Sequence, residues 1–404
     1  MRPSRRWCIA HLRGVLVPSL LAGLVALIPP LAGFGHGAGN EAIPSFNSAE
    51  KLGAALFADV NLSKNRSQAC VSCHSPQLAF TDPRETPKVA GAVSLGDDGH
   101  SLGDRNAPTA AYASFAPAFH IKPDGKPVGG LFHDGRAKNL EEQAGGPPLN
   151  TLEMGMPDKA SVVARLKENP AYVAAFGALF GPNNILDDAE QGYLAMTLAI
   201  AAFERSAEFS PFDSKYDRSL RGEAVLTPQE ELGRVLFFSS QFTNCSQCHR
   251  LQAQGGMEKE LFSNFEYHNI GTPPNHVVRA ANGSKPGRID HGLLANPAVT
   301  DKVHDGQFKV PTLRNVAVTA PYMHNGVFKD LRTVVLFYNK YNSKSSKRQI
   351  NPETNAPWDT PEVQANLSLK ELESGPALDD KRIDALVAFL KTLTDKRYEH
   401  LLNE

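Results

Sequence analysis

Two pentapeptides of the form Cys-x-x-Cys-His carry the clearest chemistry in this chain: Cys70-Val71-Ser72-Cys73-His74 and Cys245-Ser246-Gln247-Cys248-His249. Each supplies two thiols able to form thioethers with the vinyl groups of a haem, and an adjoining histidine able to bind its iron. The chain has five cysteines, and the fifth, Cys8, lies in an N-terminal stretch built like a removable leader. A mature chain would keep four, all inside these motifs, with no thiol left over for a disulfide. A tetrathiolate zinc site is the bland alternative, but its cysteine pairs normally sit close in sequence. Here Cys73 and Cys245 are 172 positions apart, and both pairs carry a histidine that neither zinc nor a redox dithiol would need. The motifs read as attachment sites for two haem c groups.

Something must hold those motifs in place, and the sequence repeats its device. Leu52-Gly53-Ala54-Ala55-Leu56-Phe57 precedes the first motif and Leu232-Gly233-Arg234-Val235-Leu236-Phe237 the second. Both follow helix-start signals, Ser48 in one case and Thr227-Pro228 with Glu230 and Glu231 in the other. The shared Leu-Gly-x-x-Leu-Phe puts Leu and Phe on one helical face, and such self-similarity marks a duplicated unit. Each unit closes with an apolar helix, expected from Leu194 to Arg205 and from Ile383 to Leu393, the latter opened by Asp379 and Asp380. A first helix, a haem motif and a closing helix are the parts of a cytochrome c fold. The expected class is therefore mainly α, two cytochrome c-like domains with long irregular loops, divided in the polar stretch from Ser210 to Glu223. The expected boundaries are 39–215 and 216–404.

Residues 1–38 read as a signal peptide: Arg2, Arg5, Arg6 and Arg13 come first, then an apolar run from Val15 to Leu31 broken by Pro18 and closed by Pro29-Pro30, then small residues. The run is too short and too proline-rich for a spanning helix, which needs about 20 apolar residues, so no stable membrane span is expected. Export fits haem attachment, which bacteria carry out beyond the cytoplasm, and a periplasmic location follows. Losing four arginines and no acid takes the formal charge from −1 to about −5, which leaves no broad basic footprint for nucleic acid. Gly and Pro number 32 and 29 and hydrophobic content is only 41%, consistent with long loops around a cofactor that supplies part of the core.

From about Leu52 to Leu402 the chain resembles the bacterial di-haem cytochrome c peroxidases and, within that family, the methylamine-utilisation (MauG) branch. The resemblance lies in Phe80-Thr81-Asp82-Pro83-Arg84, in Ser94 to Asn106, in Phe209 to Arg218 and in Asn264 to Gly271. It is strongest from Val310 through Pro321-Tyr322-Met323-His324-Asn325-Gly326 to Leu336-Phe337-Tyr338-Asn339-Lys340-Tyr341. It implies His74 and His249 as iron ligands and Tyr338, 14 positions after His324, as the second ligand of the second haem. The peroxidases carry methionine at that spacing. A thioether favours reduced iron, whereas a phenolate favours Fe(III) and higher states. Taken alone, Tyr338 reads as a core aromatic, and Met323 is the competing ligand. The resemblance further implies an open first haem with Glu153 as distal acid–base group and Gln143 and Pro147 beside it, His100 being a loop histidine. It implies a calcium ion held by Asn106 and the carbonyls of Thr319 and Pro321.

Two tryptophans of the MauG branch are replaced. His133, in Leu131-Phe132-His133-Asp134-Gly135-Arg136, holds the place of one between the haems, and Thr243 the place of one beside the second motif. The chain's tryptophans are Trp7, in the leader, and Trp358. Three functions compete. The leading one uses hydrogen peroxide, or O2 plus electrons, to oxidise tryptophans of a methylamine dehydrogenase precursor at long range, completing tryptophan tryptophylquinone. The second is a peroxidase fed by a small cytochrome or cupredoxin. The third is a plain electron carrier with both irons six-coordinate, against which Glu153 and an open distal side argue.

Overall fold

The structure, a computed structural model, describes residues 46–84, 86, 88–181, 185–250 and 257–403. The expected signal peptide lies outside the described residues. In chain order, the helices that position the site are α1 (Ala49–Phe57), α2 (Cys70–Cys73), α3 (Leu140–Ala144), α4 (Ala189–Glu204), α5 (Lys215–Leu220), α6 (Pro228–Phe238), α7 (Cys245–Cys248), α8 (Leu331–Asn339) and α9 (Asp380–Lys391). Strand is confined, among the described residues, to three antiparallel two-residue ribbons. The chain is mainly helical, as the helix signals around the motifs implied, with the long loops its composition implied.

The repeated hexapeptide has one structural meaning in both places. Ser48 caps α1 by accepting from the Lys51 amide, and Thr227 and Glu230 cap α6 reciprocally. Leu52, Leu56 and Phe57 then face a core shared with α4, and Leu236 and Phe237 a core shared with α9. The glycine of the repeat sits where the helices cross. A Cβ at Gly53 would lie 1.9 Å from the Ala199 carbonyl oxygen of α4, and a Cβ at Gly233 would lie 1.9 Å from the Ala385 carbonyl oxygen of α9. Only a residue without a side chain lets the backbones approach so closely. The two crossings thus anchor the helix ahead of each haem motif to the helix that closes its unit.

The apolar side chains form two main clusters. One gathers α1 and α4 with Phe80, Phe176 and Phe209; the other gathers α6, α8 and α9 with Tyr216, Phe262 and Phe328. Within the stretch from Ser210 to Glu223, the middle is packed. Ser214 and Asp217 cap α5 reciprocally, and Tyr216 and Asp217 are buried. Asp217 takes both Arg314 guanidinium nitrogens at 2.8 and 2.9 Å, an ion pair without solvent contact. Part of the stretch's polarity in the sequence reflects that buried pair, while Arg221 to Glu223 at its end stay exposed.

Candidate functional site

A cavity of about 840 Å³ runs through the molecule and is lined by both motifs. Every residue singled out from the sequence lines it: Cys70, Cys73, His74, Cys245, Cys248, His249, Tyr338, Glu153, Gln143, Pro147, His133, Asn106, Thr319 and Pro321. Thr243 and the competing ligand Met323 line it too, whereas His100 stands on the surface, 80% exposed and paired with Asp98.

Each motif is one short helix that ends on its histidine. The His74 amide donates to the Cys70 carbonyl and the His249 amide to the Cys245 carbonyl, both at 2.9 Å. The rings are then fixed by the loops that follow. Nδ1 of His74 lies 3.1 Å from the Phe80 carbonyl oxygen and Nδ1 of His249 lies 3.0 Å from that of Phe262. A carbonyl only accepts, so Nδ1 carries the proton and Nε2 keeps its lone pair, the tautomer an iron ligand needs. Burial lowers the His74 imidazolium and pushes that of His249 down to about 4, so both rings are neutral. The residues therefore fit a haem at each motif. Among the described residues no three His, Cys, Asp or Glu side chains gather as a metal-binding group, so the cysteine pairs do not converge on a tetrathiolate.

At the first motif the opposite wall comes from the α3 region. Gly146 donates to the Gln143 carbonyl at 2.9 Å, and Pro147 accepts from the Met154 amide at 3.3 Å, folding the Asn150–Gly155 turn over the cavity. Asn150 Nδ2 donates to Glu153 Oε1 at 2.7 Å and aims that carboxyl. Burial raises the Glu153 carboxyl above its ordinary range, against the lowering effects of Asn150 and Arg136. A carboxyl whose proton is held more tightly in this way can both take and return one.

Tyr338 is set by α8, whose start Asp330 caps by accepting from the Thr333 amide at 2.9 Å. Burial pushes its phenol well above the ordinary range, so a phenolate there requires a cation in direct contact. Tyr338 also opens an aromatic array: its ring centroid lies 6.2 Å from Phe337, which stands 5.5 Å from Trp358. Thr243 is buried and donates to the Leu236 carbonyl at 2.6 Å, finishing the turn after α6.

His133 is held through Nε2, 2.9 Å from the Asn106 carbonyl oxygen, and burial pushes its imidazolium down to about 4. Asn106 in turn takes its amide from solvent to the fold. Its backbone donates to the His324 carbonyl at 2.8 Å and its Nδ2 to the Ala92 carbonyl at 3.1 Å, so Oδ1 is the atom it can offer a cation.

Reading from sequence assigned no role to two buried groups on this cavity. His324 stacks on Phe308 with centroids 3.5 Å apart, stands 6.5 Å from His133, and has an Nε2 with no hydrogen-bond partner. Glu204, the last residue of α4, is buried with an unpartnered Oε2. An acid at the end of a largely apolar helix was the only signal of the second; the first stands in the motif Pro321 to Gly326, which served only to place Tyr338.

A mainly helical chain with two Cys-x-x-Cys-His motifs on one cavity is built as a di-haem c-type oxidoreductase. Residues 47–225 match the family described as di-haem cytochrome c peroxidase. The chain is 56% identical over 384 residues to the methylamine utilization protein MauG of Paracoccus denitrificans, covering 95% of this chain and 97% of that protein. It is 31% identical over 347 residues to the cytochrome c551 peroxidase of Nitrosomonas europaea, covering 85% and 79% respectively. The crystal structure of the diheme peroxidase BthA from Burkholderia thailandensis superimposes with a TM-score of 0.75 at 33% identity, covering 88% of each chain. The chain belongs to the di-haem cytochrome c peroxidase/MauG family, whose members carry two haem c groups, and it is an oxidoreductase.

Proposed function

We propose that the protein is a periplasmic MauG-type enzyme. It uses hydrogen peroxide, or O2 plus electrons, to oxidise tryptophans of a methylamine dehydrogenase precursor, completing tryptophan tryptophylquinone. The observation that carries the reading is that Glu153, both motif histidines and Tyr338 line one continuous cavity. The identity to a methylamine utilization protein along nearly the whole chain supports the same reading.

Haem held by His74 would supply the iron at which peroxide is reduced, and haem held by His249 a second place to store an oxidising equivalent. Glu153 takes a proton from hydrogen peroxide and returns it to the departing oxygen, which leaves as water; cleavage of the O–O bond to two unequal parts requires that transfer. Gln143 and Pro147 close the wall beside it. Tyr338 would hold the iron of the second haem as phenolate, whose charge would favour ferric over reduced iron. The precursor never enters the cavity: its tryptophans lose electrons through the protein surface. His133 and Thr243 offer poorer stepping stones than indole, so that route differs from the one in MauG-branch proteins with tryptophan at those places. Asn106 Oδ1 with the carbonyls of Thr319 and Pro321 would hold a calcium ion, a hard cation suited to oxygen ligands. The leader at 1–38 directs export, and 39–215 and 216–404 act as one haem domain each.

The test is to mix the diferric protein with one equivalent of peroxide, record visible and near-infrared spectra, and add the precursor dehydrogenase. Appearance of quinone absorbance is expected; decay at a rate indifferent to the precursor refutes the reading. Met323 on the cavity wall favours the peroxidase as second reading, with methionine as ligand. Rapid turnover of peroxide with a small cytochrome or cupredoxin donor would decide for it.

A further inference from the structure

Glu204 is a buried acid that the reaction described above does not use. It is 5% exposed, lines the cavity at the end formed by the first motif, and has no partner for its Oε2 among the described residues. Two features of its surroundings disfavour a charge there. It ends α4, where the helix dipole places partial negative charge. Its neighbour Arg205 is committed to Glu141 on α3 at 2.7 Å. Burial, with Glu141 adding to it and Arg205 opposing, pushes the Glu204 carboxyl up to about 8. Glu204 shares the cavity wall with Cys70 and its charge would be felt there, so it lies near the anchor of the first haem.

We infer that Glu204 is a proton-holding acid in the wall of the first haem site, protonated while that haem is reduced and surrendering its proton when the haem is oxidised. The step balances simply. One electron leaves for an external oxidant, the O–H bond of Glu204 breaks, and the proton passes to solvent; reduction reverses both. The physical cause is charge: a buried carboxylate is costly beside a neutral surrounding and less so beside iron that has gained a positive charge. Glu204 thereby limits the net charge the low-dielectric cavity must carry as oxidising equivalents accumulate. It acts on the iron through space and is a positioning residue, not a catalytic one.

The inference rests on the first motif holding a haem, so the holoprotein is first assayed for haem content. Fewer than two haems per chain overturns the reading of the motif and the inference with it. Two haems leave the inference to stand on its own test. Oxidised-minus-reduced infrared spectra should then show loss, on oxidation, of a carboxylic acid C=O band that shifts in D2O. The band should persist in Glu153→Gln and vanish in Glu204→Gln. The first haem potential should fall with rising pH between the lower titration of Glu204 beside oxidised haem and the higher one beside reduced haem, by at most about 59 mV per unit, and level off above about 8; Glu204→Gln should remove that dependence. A carboxylic acid band that survives in Glu204→Gln, or no such band in the native protein, overturns the inference. Should Glu204→Gln fail to bind haem, Glu204→Asp keeps the acid on a shorter arm and must move the band; an unmoved band overturns it equally.

Discussion

Replacing the repeat glycines by alanine tests whether close helix crossings hold the two haem motifs. In Gly233→Ala the new methyl would meet the Ala385 carbonyl oxygen at 1.9 Å and Phe389 Cβ at 2.7 Å. Real Cβ atoms essentially never approach below 3.0 Å, so α6 and α9 must separate by about 1.1 Å. The obstacle is backbone, which cannot rotate away as a side chain can. Overpacking costs about 1–3 kcal/mol, and a backbone clash this deep belongs at the upper end. Alanine returns about 1 kcal/mol in helix propensity. The difference, about 2 kcal/mol, corresponds to a fall of roughly 4–8 °C at 2–4 °C per kcal/mol. Gly53→Ala, 1.9 Å from the Ala199 oxygen, should behave alike. Gly177, in the helix Pro170–Phe180 with nothing within 4 Å, is the control: its alanine variant gains propensity without a clash and should melt a few degrees higher. Melting followed by circular dichroism and haem absorbance measures all three. If Gly53→Ala or Gly233→Ala melts as high as Gly177→Ala, the crossings are not close-packed and the account of the repeat is wrong.

Glu153→Gln should slow the reaction with peroxide by about 10²–10⁴-fold in stopped-flow absorbance while leaving haem attachment intact. Because burial raises the Glu153 carboxyl, the native rate should begin to fall on acidification at a pH above the ordinary carboxylate value of about 4.3; a profile flat to that point would exclude Glu153 as the base. Tyr338→His should alter the absorption and magnetic circular dichroism of the second haem, and an unchanged spectrum would exclude its ligation. Arg314→Met leaves Asp217 charged and buried and should cost about 3–5 kcal/mol in denaturant unfolding; a loss below 1 kcal/mol would mean that water reaches the pair. The Asp217 carboxyl is held below its ordinary range chiefly by Arg314 against burial. Its contribution is present above about pH 3.9 and is lost as pH falls through the lower folded value, so Arg314→Met should flatten the acid limb of the stability profile.

The chemistry was legible in the chain because covalent haem attachment needs residues adjacent in sequence. Cys-x-x-Cys-His is a local requirement, and so are the Ser48 and Thr227 caps and the hexapeptide that follows each. The burial of Glu204 and of His324, and the packing of Tyr216 and Asp217, were not legible. A lone acid in an apolar helix gives no sign of whether a partner exists, and Asp217 reads as solvated until Arg314, 97 positions away, is brought onto it. The sequence by itself determined which groups can be attached, which helices precede them and which glycines recur. Tertiary structure alone decided what those glycines are for, that Glu153 and Tyr338 line one cavity with both motifs, and which acids and imidazoles are stripped of water. The physical reason is that desolvation and close approach are properties of surroundings, and here the surroundings come from segments far apart in the chain.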